Sequence, residues 1–225
     1  MAEAIFQDIE LLPKILPVKQ LFILLHGIGA QPSDLVPLAI KLKATFPDAA
    51  YLVPQGNYPF EGGNKGRQWF SVRGVTEDNR VARVAETLPM LQQLVRNAQH
   101  RYKTLQSDTA LVGFSQGAIM VLEFSVAHDG QVGRVLAFSG RFAKLPEKAP
   151  ELTTLHLLHG EDDKVISVAH ASAGYARLMQ LQGDATLDVA SSVSHEIHAA
   201  LAERAIHRLQ TCIPLRSWKQ ALNSA

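Results

Sequence analysis

The segment Gly113-Phe114-Ser115-Gln116-Gly117 has the residue types of a nucleophilic serine held on a sharp turn. The pattern is informative only between a strand and a helix, because that setting lifts the hydroxyl clear of a sheet. Here the apolar run Ala110–Val112 precedes it, and Ile119, Leu122 and Val126 follow it at helical spacing. The sequence therefore predicts Ser115 as the nucleophile of a hydrolase.

A serine hydroxyl is a weak nucleophile, so it needs a base to accept its proton and an acid to orient the base. On a strand–turn–helix scaffold of this kind the acid follows the serine in the chain, in a loop after a later strand. Leu155–Leu158 is predicted as such a strand. Three adjacent carboxylates follow it: Glu161, Asp162 and Asp163. Position alone does not separate Asp162 from Asp163, and any of the three could be a solvated loop charge.

The base is expected after one more strand, for which Thr186–Val189 is a candidate. His195 follows that strand, and we expect it at the start of the last long helix. His198 is the rival, one helical turn further in, where a place on the helix surface is the simpler interpretation. The other histidines are predicted to be structural, in or beside helices (His100, His128, His170, His207), in mid-strand (His156) or at a turn (His159).

An oxyanion hole uses backbone N–H groups, of which one normally belongs to the residue after the nucleophile, here Gln116. The second is expected from His26-Gly27-Ile28-Gly29, the loop after the predicted strand Leu21–Leu25. The same glycines begin like a dinucleotide fingerprint, but Pro32 stands where the third glycine belongs. The histidines of His195-Glu196-Ile197-His198 are three residues apart, whereas the zinc motif places them four apart. We therefore expect no metal site.

Apolar runs alternate with helical patterns along the chain, which predicts an α/β fold with a mostly parallel sheet covered on both faces. Pro89 interrupts one helical pattern, running from Val81 to Val95, and should kink or split that helix. The remaining predicted strands are Ala50–Val53, Val135–Phe138 and an N-terminal edge strand at 5–9. The remaining predicted helices follow Ser33-Asp34 and cover 173–181 and 197–209.

The stretch from Pro54 to Asn79 is rich in glycine and asparagine and shows no sustained periodicity. Long loops in compact domains tend to be functional, so residues 54–79 are predicted as a loop over the active site. A mobile surface insertion is the alternative. The tetrapeptide Leu-Leu-His-Gly occurs twice, at 24–27 and 157–160, and both copies are predicted as strand ends.

Composition limits the other functions the chain could have. The 225 residues carry 22 basic and 21 acidic side chains, a net charge of +1, with no basic stripe for nucleic acid. The apolar run Leu21–Leu25 is far shorter than the about 20 residues a membrane span needs, so integral membrane association is not expected. The acidic first ten residues do not resemble a secretory signal, and Cys212 is a lone cysteine; a cytoplasmic location is expected.

We predict one domain over 1–225, with a core at about 20–210 and a C-terminal extension at 213–225. Leu215, Trp218 and Leu222 lie at helical spacing in that extension. The segment could dock on its own domain or form the contact of a homodimer, and the sequence leaves both open.

Seven segments together resemble the α/β-hydrolases of the carboxylesterase, phospholipase and acyl-protein thioesterase family, closest to its bacterial carboxylesterases. The resemblance runs from about Leu21 to about Leu209. The segments begin at Leu25, Val53, Gln68, Gly113, Phe138, His159 and Ser194, and read LHGIG, VPQG, QWF, GFSQG, FSG, HGEDDKV and SHEI.

The resemblance implies an α/β-hydrolase fold without a separate cap domain. It also selects Asp163 as the acid and His195 as the base, implies that Ile28 and Gln116 supply the oxyanion N–H groups, and implies that Trp69 belongs to the wall of the substrate pocket. No metal and no organic cofactor is implied.

Two departures from the family pattern bear on the substrate: Ala30 replaces an aspartate, and Ser194 replaces a glycine. Because both weaken a specific match to protein depalmitoylation, a small-molecule ester is the expected substrate. A thioesterase acting on acyl-proteins or acyl-CoA, or a lysophospholipase, is the alternative. A ligand-binding protein that has lost turnover on the same scaffold is the third hypothesis.

Overall fold

Nine strands are present in the described residues, 8–63 and 65–223, of the computed structural model. They are β1 (Ile9–Leu11), β2 (Gln20–Leu25), β3 (Ala49–Val53), β4 (Tyr58–Pro59), β5 (Arg67–Gln68), β6 (Thr109–Phe114), β7 (Arg134–Phe138), β8 (Thr154–Gly160) and β9 (Ala185–Ala190). Seven of them form one sheet in the order β1-β3-β2-β6-β7-β8-β9. Only the edge strand β1 is antiparallel to its neighbour, which confirms the mostly parallel sheet.

Within the described ranges, seven α-helices surround this sheet: α1 (Val36–Thr45), α2 (Glu77–Ala85), α3 (Leu88–Tyr102), α4 (Gln116–Ala127), α5 (Val168–Gln180), α6 (Ala199–Thr211) and α7 (Leu215–Asn223). Buried side chains of α2 to α5 pack against one face of the sheet, and those of α1 and α6 pack against the other. The predicted α/β architecture with helices on both faces is confirmed.

Burial on both faces explains why the central strands are continuous apolar runs. In β2, Leu21, Ile23 and Leu25 belong to the core on the α2–α5 side. Phe22 and Leu24 belong to the core on the α1–α6 side. Since successive side chains of a strand point to opposite faces, every position from 21 to 25 must be apolar.

Pro89 splits its helical pattern as predicted. α2 ends at Ala85 and α3 begins at Leu88, so Pro89 lies in the first turn of α3, where its missing N–H has no intrahelical partner to lose. α2 begins at Glu77, capped by the Thr76 side chain, which accepts a hydrogen bond from the Asn79 N–H. The end of the predicted loop 54–79 is therefore helical.

The same stretch contains a short ladder that the sequence analysis missed. β4 and β5 pair antiparallel, Tyr58 with Gln68 and Pro59 with Arg67. A two-residue ladder shows no periodicity in the sequence, which is why composition alone described the segment as a loop. Its main consequence is to place Arg67 and the residues that follow it beside the loop after β2.

At the N-terminus the edge strand is formed by Ile9–Leu11, later than the predicted 5–9, and residues 5–7 of that prediction lie outside the described residues. At the C-terminus α7 docks on its own chain. Arg216 donates to the Leu152 carbonyl over 2.7 Å, and the Leu215 N–H donates to Asp184 over 2.9 Å. Trp218 and Leu222 stay exposed, and the homodimer contact stays a prediction.

In the described part of the chain no helix has both the length and the apolar character needed to cross a bilayer. The single domain over 1–225 stays a prediction, and its residues 1–7, 64 and 224–225 lie outside the described ones.

Candidate active site

Ser115 lies in the turn between β6 and α4, with φ 53° and ψ −114°. A positive φ is strained for a residue with a side chain. The turn closes because its flanking residues have none: a Cβ on Gly113 would lie 2.3 Å from the Gly117 carbonyl oxygen, and a Cβ on Gly117 would lie 2.1 Å from that of Leu25. Both glycines of the motif are therefore required by close backbone contact.

Ser115, His195 and Asp163 form a continuous hydrogen-bonded chain. The Ser115 hydroxyl donates to His195 Nε2 over 3.0 Å, and the His195 Nδ1–H donates to Asp163 Oδ2 over 2.7 Å. The serine and the aspartate are buried, while the side chain of His195 is 17% exposed. This arrangement can move a proton from the serine to the imidazole while the carboxylate orients the ring.

The loop after β8 holds Asp163 as an anion. Burial by itself would raise the pKa of Asp163, but hydrogen bonds from His195 and from the Ile166 and Val165 N–H groups outweigh it and lower that pKa. Both backbone N–H groups donate to Oδ1, at 2.8 Å and 2.9 Å. Oδ2 is thereby left to face His195.

The other two carboxylates of that loop point elsewhere. Glu161 and Asp162 are exposed, and their backbone N–H groups donate to the carbonyls of Ala190 and Val193. Position in the sequence did not separate Asp162 from Asp163, and in the folded chain Asp163 is the carboxylate that contacts His195.

His195 lies in the turn before α6, which begins at Ala199 and not at His195 as expected. His198, expected inside the helix, is its N-cap: His198 Nδ1 accepts a hydrogen bond from the Ala200 N–H over 3.2 Å. Because the His198 side chain caps the first turn, the helix begins at Ala199, later than the apolar periodicity indicates. The imidazole of His195 packs instead against the Phe114 ring, with 5.0 Å between centroids.

The loop after β2 lies against the nucleophile. A Cβ on Gly27 would be 3.3 Å from Ser115 Cβ. The Gly29 N–H donates to the Arg67 carbonyl, and the Arg67 N–H donates to the Ala30 carbonyl, at 2.8 Å and 2.9 Å. Ile28 therefore lies between Gly27, which is close to Ser115, and Gly29, which is bonded to Arg67. Gln116 follows Ser115 as the first residue of α4, where helical N–H groups have no intrahelical acceptor.

His26 holds that loop through both ring nitrogens. Its Nδ1–H donates to the Gly27 carbonyl over 2.7 Å, and its Nε2 accepts from the Gly56 N–H over 2.9 Å. Burial lowers the pKa of this histidine, so the ring is neutral. No side-chain role for His26 was predicted from the sequence, although its place in a repeated Leu-Leu-His-Gly was a signal that could have indicated one.

Trp69 is only 1% exposed, so its ring lies inside the protein. The indole N–H donates to the His26 carbonyl over 2.8 Å. The Gln116 side chain accepts from the Trp69 backbone N–H over 2.8 Å and donates to the Phe70 carbonyl over 2.7 Å. The contact of Trp69 with substrate stays a prediction.

His159 supports the acid loop in a similar way. Expected at a turn, it is the last residue but one of β8 and fully buried. Its Nε2–H donates to the Ile166 carbonyl over 2.7 Å and lies 3.3 Å from Asp163 Oδ2. Burial lowers the pKa of His159, so we take the ring to be neutral beside the aspartate.

A cavity of about 690 Å³ opens beside the loop that follows β2. Its wall combines three aromatic residues (Tyr58, Phe60 and Phe70) with polar ones (among them Glu61, Gln68 and Arg73). The Phe60 ring reaches within 3.2 Å of the Cβ position on Gly29, so this cavity borders the loop that carries Ile28. Its size suits a small organic molecule.

Comparison with known proteins identifies the family. The model of the phospholipase/carboxylesterase family matches residues 7–213. The chain is 43% identical to Esterase YpfH of Escherichia coli (strain K12) over 207 residues, 92% of this chain and 89% of that protein.

Solved structures share the fold. Esterase PE8 superposes with a TM-score of 0.83 at 26% identity, over 92% of this chain and 99% of that one. The Bacillus cereus carboxylesterase does so with a TM-score of 0.77 at 18% identity, over 93% and 96%. The chain belongs to the phospholipase/carboxylesterase family of α/β-hydrolases, a family of carboxylic ester hydrolases.

Proposed function

We propose that this esterase is a serine carboxylesterase that hydrolyses small carboxylic esters through an acyl-enzyme. The observation that carries the proposal is the hydrogen-bonded chain from Ser115 Oγ through His195 to the buried Asp163. Each distance is within the range for proton transfer between positioned groups.

In the first step Ser115 Oγ attacks the ester carbonyl while His195 Nε2 takes the hydroxyl proton. The imidazolium that results is stabilised by Asp163, whose lowered pKa keeps it ionised. The tetrahedral oxyanion accepts hydrogen bonds from the Ile28 and Gln116 N–H groups. His195 then gives its proton to the departing alcohol, and the acyl group stays on Ser115.

In the second step His195 removes a proton from water, and the hydroxide adds to the acyl carbonyl. The same two N–H groups stabilise the second oxyanion. Collapse breaks the bond to Ser115 Oγ, which regains a proton from His195, and the carboxylic acid is released. Every proton passes through one imidazole, so no further acid–base residue is required.

The substrate is proposed to enter the cavity that borders the loop after β2. Trp69, which lies in the chain between the lining residues Gln68 and Phe70, is proposed to complete the pocket wall when substrate is bound. Ala30 and Ser194 stand where the family pattern has an aspartate and a glycine, and these departures favour a small-molecule ester over an acyl-protein. A panel of p-nitrophenyl esters of rising acyl length, with an acyl-CoA thioester and a lysophospholipid, checks this choice. Faster turnover of the thioester or the lipid would replace the small ester as substrate.

The decisive experiment is Ser115→Ala, assayed on p-nitrophenyl acetate. We expect kcat to fall by about 10⁴-fold or more, because no other group can form the acyl-enzyme. Ser125→Ala is a matched control, since Ser125 is a buried serine of α4 whose hydroxyl donates to the Leu122 carbonyl.

Labelling with a fluorophosphonate separates a working site from a ligand-binding protein that has lost turnover. We expect the wild type to be labelled and Ser115→Ala not to be. Retained turnover in Ser115→Ala, or an unreactive wild type, would refute the assignment.

A further inference from the structure

The two expected oxyanion donors lie on different parts of the chain, Ile28 after β2 and Gln116 at the start of α4. β2 and β6 are neighbours in the sheet and pair Leu25 with Gly113, which brings the two segments close. Beyond Leu25 the chain leaves the ladder. The position of residues 26–29 relative to Gln116 must therefore be set by other contacts.

A continuous set of hydrogen bonds spans that gap. The Gln116 side-chain oxygen accepts a hydrogen bond from the Trp69 backbone N–H, and its nitrogen donates one to the Phe70 carbonyl. The Trp69 indole N–H donates a hydrogen bond to the His26 carbonyl. The His26 ring donates one to the carbonyl of Gly27, the residue before Ile28. The rings of His26 and Trp69 also pack together, with centroids 5.3 Å apart.

We propose that His26, Trp69 and Gln116, here called the brace, are positioning residues that hold the two oxyanion N–H groups at a fixed separation. The proposal rests on the proposed serine mechanism. Gln116 has two parts in it: its backbone N–H binds the oxyanion, and its side chain ties that N–H to Trp69, which in turn fixes the opposite loop.

Burial makes the brace rigid. His26 is 0% exposed, Trp69 1% and Gln116 3%, so water cannot replace their hydrogen bonds without opening the core. The side chains of Trp69 and Gln116 carry no charge. His26 is neutral as well, because burial lowers its pKa and its Nε2 accepts a hydrogen bond from the Gly56 N–H. A preorganised hole matters most for the transition state, where the negative charge develops.

Two variants cut the brace at different bonds. Trp69→Phe keeps an aromatic ring and removes the pyrrole part of the indole with its N–H, and Gln116→Met keeps the side-chain length and removes both hydrogen bonds of the side-chain amide. The chain supplies matched controls in Trp218→Phe, its other tryptophan, exposed on α7, and Gln99→Met, a buried glutamine bonded to Thr109 and Gln131 away from the site.

We expect each brace variant to lower kcat by about 10- to 100-fold, less than the loss of a donor itself, with KM within about 2-fold. Affinity for a trifluoromethyl ketone, whose adduct with Ser115 places an oxyanion in the hole, should fall by the same factor as kcat. The kcat of the double variant should be little lower than that of the more impaired single variant, because both substitutions interrupt the same set of hydrogen bonds. The controls should stay within about 2-fold of wild type.

Brace variants that match their controls, or that raise KM while kcat and ketone affinity stay unchanged, would overturn the proposal. Thermal melting checks folding, and Gln116→Met decides the question if Trp69→Phe does not fold. Fluorophosphonate labelling of the wild type keeps the two hypotheses apart. An unlabelled wild type refutes the serine mechanism, whereas a labelled wild type with fully active brace variants refutes the brace alone.

Discussion

The two copies of Leu-Leu-His-Gly end two strands of one sheet and lead into two loops of the candidate site. The first copy, 24–27, begins with the last two residues of β2 and leads into the loop that carries Ile28, and the second, 157–160, completes β8 and leads into the loop that carries Asp163. In both copies the histidine is fully buried, has a lowered pKa and donates a hydrogen bond to a loop carbonyl.

The copies differ in the face to which their leucines point. In β2, Leu24 belongs to the core beneath α1 and α6, and Leu25 belongs to the core on the other face. In β8 the order is reversed, with Leu157 on the α2–α5 side and Leu158 on the α1–α6 side. The same tetrapeptide is therefore placed one residue out of phase in the two strands.

This difference shows that the apolar sequence of a buried parallel strand does not fix which face of the sheet each leucine occupies. Because both faces are apolar, either phase buries both leucines equally well, so the pattern does not choose between them. The histidines consequently meet different partners. His26 bonds the Gly56 N–H of the segment after β3, whereas His159 lies beside Asp163 in its own loop.

The largest expected effect that tests this comparison concerns the proposed acid, Asp163, which lies in the loop after the second copy and has no counterpart after the first. Asp163→Asn should lower kcat by about 10³- to 10⁴-fold, because an amide cannot hold the His195 ring in the required tautomer. Steady-state turnover of p-nitrophenyl acetate measures it. Asp162→Asn is the matched control and should stay within about 2-fold of wild type, since that side chain is exposed. Equal losses in the two variants would contradict the assignment of the acid.

A smaller effect compares the final glycines of the two copies, neither of which has a positive φ. A Cβ on Gly160 would lie 2.3 Å and 2.5 Å from the carbonyl oxygens of Val193 and Ser194, just before His195. A Cβ on Gly27 would meet the Phe114 ring at 3.1 Å, a side chain that can shift.

Gly160→Ala should therefore lower the free energy of unfolding by about 2–3 kcal/mol, and Gly27→Ala by about 1 kcal/mol or less. Urea denaturation of both variants measures the difference, with kcat recorded alongside. We expect the larger loss of kcat in Gly160→Ala as well. A larger destabilisation by Gly27→Ala would break the comparison.

The smallest effect concerns the residue before each copy, Ile23 in β2 and His156 in β8, both 0% exposed. Burial lowers the pKa of His156 from 6.5 to about 4. Between these values the unfolded chain binds a proton that the folded chain does not, so stability falls as the pH drops through this window. The contribution between pH 7 and pH 5 is about 2 kcal/mol.

His156→Ile makes the two pentapeptides identical and removes this term. We expect the difference in unfolding free energy between pH 7 and pH 5 to shrink by about 2 kcal/mol relative to wild type, as measured by urea denaturation at both values. His207→Ile is the matched control, the same substitution at an exposed histidine of α6. An unchanged difference in His156→Ile would show that the buried ring is not neutral.

Much of this could be predicted before folding was considered. The strands at 21–25, 110–112, 135–138 and 155–158 were predicted because fully buried parallel strands must be apolar at every position. The serine turn was predicted because its two glycines are demanded by backbone contacts that any such turn makes. The split at Pro89 followed from the chemistry of proline alone.

Features that depend on contacts between distant segments were missed or wrong. The β4–β5 ladder is too short to leave a periodic pattern, and His198 caps the N-terminus of α6 instead of lying inside the helix. The brace joins residues 26, 69 and 116, which no local pattern relates. Loop carboxylates such as Asp162 and Asp163 look alike until the fold turns one of them inward.

The sequence by itself determined the fold class, the nucleophile candidate and the order of acid and base along the chain, because these depend on local periodicity and on residue chemistry. The tertiary structure alone decided which carboxylate faces His195, how the two Leu-Leu-His-Gly copies are phased and how Trp69 connects His26 with Gln116. Those features depend on distances between segments far apart in the chain, which only the packed sheet and its loops define.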